Sequence, residues 1–415
     1  MHEHAFAAQC ASVTVHADSE TARRCRALTL FALALGSFCI GTSEFASMGI
    51  LQLFSADLHL SLPMATNAIT AYAAGVVIGA PVVTLAAARL NRKTLLLGLM
   101  GLFIAGNLLS SLAVSLPTLM LARFVAGLPQ GGYFGAGAVV ASYIVGPGKA
   151  GRAFAIVMTG LTIATIFGSP LATFLGQNLG WRDTYVAVAG IAAVALAALW
   201  RWVPRTAALG GGPVMQELRA LKKPSVWGVI AVAAVGVGSI FAVYTFIGPF
   251  ITDLDHVGRS VIPIGLALFG LGMTAGNALG GHLADSRPVL GLAGGFSAAL
   301  VVLAILATGG ANIWVLMPCL FGVGAAMMTA IPTIQVRLTG FASEAPTLMG
   351  AMNLAALNVA NAIGAWAGGI SIGLGLGLLS AAWAGFACTL IGLLIFAATL
   401  RETPQLSASS RSVQA

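Results

Sequence analysis

Two residues of this chain carry charge where charge is expensive. Glu44 is the one charged residue in the run from Ala27 to Leu51, and Arg123 follows a run from Leu95 to Ala122 that has none. A charge at the centre of a membrane helix costs about 2.5–3.5 kcal/mol on insertion scales, so such residues mark transport and coupling pathways by default. At about 1.5 Å of rise per residue, both sit about 10 Å below the same membrane face. They share a depth and are opposite in sign. A carboxylate in an apolar cavity holds its proton more tightly, and a nearby cation loosens that hold. The expectation is therefore that Glu44 takes and releases a coupling proton, with Arg123 beside it setting its affinity. The alternative is a fixed buried ion pair that only joins two helices. Asp57 is a candidate second proton carrier; a solvated acid or helix cap is the simpler reading.

Uncharged polar residues also stand inside apolar runs. Gln130 lies among Gly127, Gly131 and Gly135, whose four-residue spacing makes a small-residue stripe for close helix packing. Asn353, Asn358 and Asn361 fall in one late span, and Asn358 and Asn361 share a helix face. Such amides bond between helices or line a polar cavity. The expected solute cavity is Gln130, Tyr133, Asn353, Asn358 and Asn361. Tyr72, Phe134, Tyr244 and Trp366 are further aromatic candidates, for which ordinary packing is the simpler reading.

The elements that must position these residues follow from composition. Of 415 residues, 58% are hydrophobic and 8% are charged, against about 25% charged in a soluble domain. Crossing about 30 Å of hydrocarbon takes about 20 apolar residues in a helix. Val226 to Thr252 and Gly291 to Val336 are uncharged throughout, and the second is long enough for two spans. A membrane barrel needs alternating segments, and these runs do not alternate. The expected spans are 27–51, 63–88, 93–114, 117–143, 150–178, 184–203, 226–250, 258–284, 289–308, 312–337, 345–371 and 377–400. The chain is thus an all-α membrane protein with twelve transmembrane helices. Residues 1–26 read as a disordered cytoplasmic tail, 27–203 and 226–400 as six-helix bundles, 204–225 as a cytoplasmic linker and 401–415 as a second tail.

The net charge of +8 belongs to topology and not to nucleic acid. With the N-terminus in the cytoplasm, 17 of the 20 Lys and Arg residues fall on the inner side, Arg182 and Arg259 fall outside, and Arg123 is left within a span. Basic residues in short loops favour the cytoplasm, so both termini are expected inside. The five cysteines show no metal spacing and read as small apolar filler.

The chain repeats itself. At an offset of 196, Phe45-Ala46 matches Phe241-Ala242, and Phe54 with Asp57-Leu58 matches Phe250 with Asp253-Leu254; Gly168 matches Gly364, and Gly79 matches Gly276 one position further on. Gly210-Gly211-Gly212-Pro213 between the copies reads as a linker. Two similar bundles suit a rocking transporter with its site between them at mid-membrane.

At these residues the chain resembles the major facilitator superfamily, and within it the drug/proton antiporter-1 branch of sugar-, nucleoside- and chloramphenicol-efflux-like permeases. Four segments from Arg26 to Arg401 carry the resemblance: Gly41-Thr42-Ser43-Glu44-Phe45; Gly79-Ala80-Pro81 leading to Arg89, Arg92 and Lys93; Arg123 with Gly127, Gly131 and Gly135; and Gly168-Ser169-Pro170 through Trp181-Arg182. The second implies an inner gate of Gly79, Arg89, Arg92 and Lys93. Its acidic partner is Ala88 here and survives as Asp285 in the second copy. The fourth departs from the antiporter pattern, because Ser169 separates Gly168 from Pro170; these two still imply close packing or a bend.

An ATP-driven pump needs a GxxxxGK[ST] loop, and none is present. No GxSxG, carboxylate pair or intramembrane histidine supports an enzyme, and no filter-like loop or charge ring supports a channel. The expectation is a secondary transporter with no cofactor, working as a monomer in the inner membrane by alternating access. Its partners are a small organic solute of drug, sugar or nucleoside type, protons and the bilayer. An importer of the same fold stays open.

Overall fold

The computed structural model describes residues 20–86, 90–146, 150–205, 219–254, 256–342 and 345–400. All regular structure among them is helical. The helices are α1 (Glu20–Gly49), α2 (Leu62–Ala86), α3 (Arg92–Ser111), α4 (116–145), α5 (150–179), α6 (Trp181–Trp202), α7 (224–254), α8 (Ile262–Ser286), α9 (Pro288–Gly309), α10 (Ile313–Phe341), α11 (Pro346–Gly373) and α12 (Ser380–Leu400). Among the described residues, eleven helices are long and apolar enough to cross a membrane. The twelfth crossing is α4, which divides into Leu116–Gly127 and Pro129–Val145. Pro129 cannot donate a backbone hydrogen bond. Leu128 still has helical dihedrals and donates to the Phe124 carbonyl, so the two pieces run on as one rod.

Prolines and glycines shape two more helices. In α5, Ala150–Ile163 passes through a π-helical turn, Ala164–Gly168, into Ser169–Leu179. Pro170 has no N–H and its ring crowds the carbonyl four residues back, and a widened turn accommodates both. In α7, Pro224–Gly236, Gly238–Tyr244, Ile247–Pro249 and the π-helical Phe250–Leu254 follow in steps, with Gly236 and Gly238 at the first joint.

Boundaries differ from expectation where charge meets helix. α1 starts at Glu20 instead of 27 and so includes Arg23, Arg24 and Arg26; α10 runs on past Arg337 to Phe341. An apolar criterion stops at a charge, whereas a helix continues into the headgroup region. Residues 1–19, 206–218 and 401–415, which hold most of the expected tails and linker, lie outside the described residues. Cys39, Cys319 and Cys388 are free and buried.

The repeat is visible in three dimensions. A Cβ on Gly79 would strike the Leu128 backbone and one on Gly127 the Tyr72 carbonyl, so α2 and α4 touch backbone to backbone. Gly276 stands in the same way against Ala325, and Gly324 against Phe269, joining α8 to α10. Gly168 approaches Thr42 of α1, and its counterpart Gly364 approaches Gly238 of α7. His59 and His256, the turn residues after the first helix of each half, both have φ of 54°. Phe45 and its repeat partner Phe241 stack with ring centroids 6.5 Å apart and planes 12° apart. Repeat-related residues meet only near the axis that relates the halves, so this pair marks it.

One apolar cluster fills the first half around Leu33, Met100, Phe103, Tyr133 and Phe134. A second fills the other half around Phe296, Leu303, Leu320 and Met327 and continues into Met48, Phe54, Ile69, Trp181 and Tyr185 of the first. The two halves therefore share a core beside the α1–α2 and α7–α8 connections. Phe167, Leu171, Phe174 and Leu179 of α5 and Val194 and Trp200 of α6 are exposed, as helices facing lipid require.

Candidate functional site

Glu44 lies in the last third of α1, where Gly41, Thr42 and Ser43 keep the helix surface small and polar. Gly41 and Gly168 let α5 press against this stretch. Glu44 is 5% exposed. Its two carboxylate oxygens go to different halves of the molecule. Oε2 accepts from Gln130 Nε2 at 3.0 Å, and Oε1 accepts from Asn361 Nδ2 at 3.2 Å. Gln130 sits on α4 two positions past Leu128, and Asn361 is in the middle of α11. The Gln130 amide is itself oriented, because Tyr72 of α2 donates its hydroxyl to Gln130 Oε1 at 2.7 Å.

Arg123 is fully buried and lies at the same level, but it makes no ion pair with Glu44 within 4.0 Å. Its Nη1 donates to Ser43 Oγ at 2.9 Å and its Nη2 to the Ser43 carbonyl at 3.1 Å. Ser43 Oγ passes the bond on to Asn107 Oδ1 at 2.6 Å, and Asn107 is anchored to the Phe103 carbonyl. The guanidinium lies over the Tyr72 ring at 4.4 Å and the Tyr185 ring at 5.2 Å. Four helices thus converge on one cation, and the buried-ion-pair alternative is set aside: the carboxylate is taken by amides, the guanidinium by a serine and two aromatic faces.

On the other side of α1 the halves meet through aromatic rings. Phe45 packs edge-on against Tyr244 at 5.2 Å, and Tyr244 against Phe269 at 5.0 Å. The Tyr244 hydroxyl donates to Ser169 Oγ at 2.8 Å, which ties α7 to α5 across the interface. Beside the α1–α2 and α7–α8 connections, Gln52 donates to Thr252 and Asp253, and Gln177 donates to the Arg259 carbonyl.

The remaining expected residues are dispersed. Asp57 ends the short helix Leu51–Asp57 and pairs with Arg182 at 2.6 Å; Trp181 Nε1 also donates to it at 3.1 Å. The Arg182 and Trp181 hydrogen bonds hold its carboxyl below the usual carboxylate range, so it stays ionised at neutral pH, as a tether does. Tyr133 donates to the Leu33 carbonyl inside the first-half core, apart from Glu44. Asn358 donates to the Leu354 carbonyl within its own helix, and Asn353 joins no contact with Glu44. Both leave their Oδ1 unpartnered and buried. Trp366 faces outward, 55% exposed. Gly127 and Gly131 serve the α2–α4 contact, Gly168 the α1–α5 contact, and Pro170 follows the π-turn. Gly79 also belongs to the α2–α4 contact. Arg92 and Lys93 begin α3, where Asn91 caps the Lys93 N–H. Arg89, like the side chain of Asp285, lies outside the described residues, so the expected inner gate is not seen whole.

A sequence profile described as Major Facilitator Superfamily matches residues 33–365. The chain belongs to that superfamily. It is 37% identical over 386 residues to the inner membrane transport protein YdhP of Escherichia coli O157:H7, covering 91% of this chain and 97% of that protein. It is 33% identical over 372 residues to a chloramphenicol resistance protein of Streptomyces lividans, covering 89% and 95%. The fold matches a bacterial homologue of the human lysosomal transporter Spinster, solved in an inward-facing and occupied conformation, with a TM-score of 0.71 at 16% identity over 91% of this chain and 97% of that one. The chain is a multi-pass membrane transporter of this superfamily and not an enzyme.

Sequence reasoning missed Ser43, Asn107 and Ser169. Serines and single asparagines are common in membrane helices, and only helix rotation decides which of them meet a charge. The signal for Ser43 was its place beside Glu44; the signal for Ser169 was its intrusion between Gly168 and Pro170.

Proposed function

We propose that this superfamily member is a proton-coupled exporter of a small organic compound, operating by alternating access of its two halves as a monomer in the inner membrane, with both termini cytoplasmic. The observation that carries the proposal is Glu44, among the described residues the one buried carboxylate, which accepts one hydrogen bond from each half. Hydrogen bonds to an ionised acceptor are about twice as strong as neutral ones. An ionised Glu44 therefore ties α11 to α1 and α4, and a protonated one loosens the tie. Arg123 is held at the neighbouring Ser43 of α1. The basic residues support the orientation, and the contacts of Gln52, Gln177 and Tyr244 with the opposite half support a form closed on the outer side. The aromatic group Phe45, Phe241, Tyr244 and Phe269 suits a flat or apolar ring. The unpartnered Oδ1 atoms of Asn353 and Asn358 suit hydroxyl or amine donors. Both fit drug-, sugar- or nucleoside-type solutes, and the kinship with a chloramphenicol resistance protein supports a role in drug resistance.

The test is reconstitution into proteoliposomes with an imposed pH gradient and a panel of antibiotics, sugars and nucleosides. Addition of a transported solute is expected to trigger proton movement in the opposite direction. Solute movement with no proton flux contradicts the coupling, and co-movement in one direction indicates an importer.

A further inference from the structure

The two amides that hold Glu44 are not equivalent. Gln130 gives Nε2 to the carboxylate while its Oε1 accepts the Tyr72 hydroxyl. Turning it over breaks that second bond, and Tyr72 is pinned by the Arg123 guanidinium over its ring. Asn361 gives Nδ2 to Glu44 Oε1, and its own Oδ1 has no partner although the residue is fully buried. Turning Asn361 over breaks only its bond to Glu44.

Protonation makes this difference matter. An ionised carboxylate only accepts, so both neighbours must donate; a protonated one carries an O–H that needs an acceptor. With Gln130 fixed as a donor to Oε2, the proton belongs on Oε1, where it meets Asn361. We infer that Asn361 is the positioning residue through which the second half reads the protonation state of Glu44: it donates Nδ2–H to the carboxylate and turns to accept the carboxyl O–H on Oδ1. The inference rests on the proposed role of Glu44. One proton arrives on Oε1 from water reaching the site, one N–H···O⁻ contact between the halves becomes one O–H···O contact, and no covalent bond in the amide changes. The groups facing Glu44 are Arg123 from α4 and the hydroxyls of Tyr72 from α2 and Tyr244 from α7, with Tyr185 of α6 reaching it through Arg123. α11 carries no titratable residue, so Asn361 is what that helix presents to the proton.

Infrared difference spectra between high and low pH test this without a solute. The protein is prepared with carbon-13-labelled asparagine, as wild type, Glu44→Gln, Asn361→Leu and the isosteric Asn361→Asp. The wild type is expected to show a carboxyl band that is lost in Glu44→Gln. An isotope-sensitive amide carbonyl band should titrate with the same midpoint and be missing from all three variants. The Asn361 step alone is overturned if the Glu44 band titrates with no asparagine band beside it, or if that band survives in both Asn361 variants. If no carboxyl band is lost in Glu44→Gln, Glu44 does not titrate, and the coupling proposal falls together with the inference.

Discussion

Arg123 is a buried cation held without a carboxylate. Its guanidinium fork reaches both the hydroxyl and the carbonyl of Ser43 and lies over the Tyr72 and Tyr185 rings. A lysine keeps the charge but has neither the planar fork nor the stacking face. Arg123→Lys is therefore expected to leave buried groups unsatisfied at about 1–3 kcal/mol, read as a lower melting midpoint in detergent; an unchanged midpoint would argue against the fork. Asp57 illustrates the other extreme. Its proton affinity in the fold lies below that in the unfolded chain, so its pairing contributes stability above about pH 4 and loses it as the pH falls further. The two side chains are 39% and 47% exposed, which limits the contribution to less than about 1 kcal/mol. Asp57→Asn should lower the neutral-pH melting midpoint slightly, and the gap to wild type should close on acidification below about pH 4. A gap that widens on acidification would reverse the assignment. At this scale Glu44, Arg123, Gln130 and Asn361 were legible because a charge or long amide stands out in an apolar run. Tyr133 and Trp366 were not, because an aromatic ring suits core, lipid and cavity alike.

Between helices, the repeat fixes where backbones touch. Gly127 has the Tyr72 carbonyl where a side chain would go, whereas Gly98 has no atom within 4 Å. Gly127→Leu should cost about 1–3 kcal/mol by overpacking, and its counterpart Gly324→Leu should do the same in the second half. Gly98→Ala should be neutral. Measured folded yield and melting midpoint decide this, and equal effects at Gly98 and Gly127 would contradict the packing. Gly127 and Gly131 of the glycine stripe pack against α2 as their spacing suggested, whereas Gly135 has no atom within 4 Å; the offset matches showed that two helix sets are equivalent. The continuity of α4 through Leu128 and Pro129 and the π-turn at Ala164–Gly168 were not legible, because Gly-x-Pro and Gly-Ser-Pro are compatible with a straight rod, a kink or a bulge until neighbours choose.

For the molecule as a whole, the spans and their pairing into two halves followed from long uncharged runs and from an internal offset, both of which survive uncertainty in helix ends. The asymmetry of the interior did not follow from the repeat. The residue 196 positions after Glu44 is Ile240, so the acid and its amide partners occur once, on the seam between otherwise similar halves. That seam is also bridged by Gln52 and Thr252 at 2.9 Å. Cysteines at these two positions should cross-link readily, stop transport and recover it on reduction; cross-linked protein that still transports would show that the seam need not open there. The central claim is that the proton on Glu44 drives the movement of the halves. Its most direct test compares wild type with Glu44→Gln in proteoliposomes, for a solute identified from the panel. The prediction is that Glu44→Gln still exchanges solute across the membrane without a gradient but loses accumulation driven by a pH gradient; undiminished pH-driven accumulation by Glu44→Gln would contradict it.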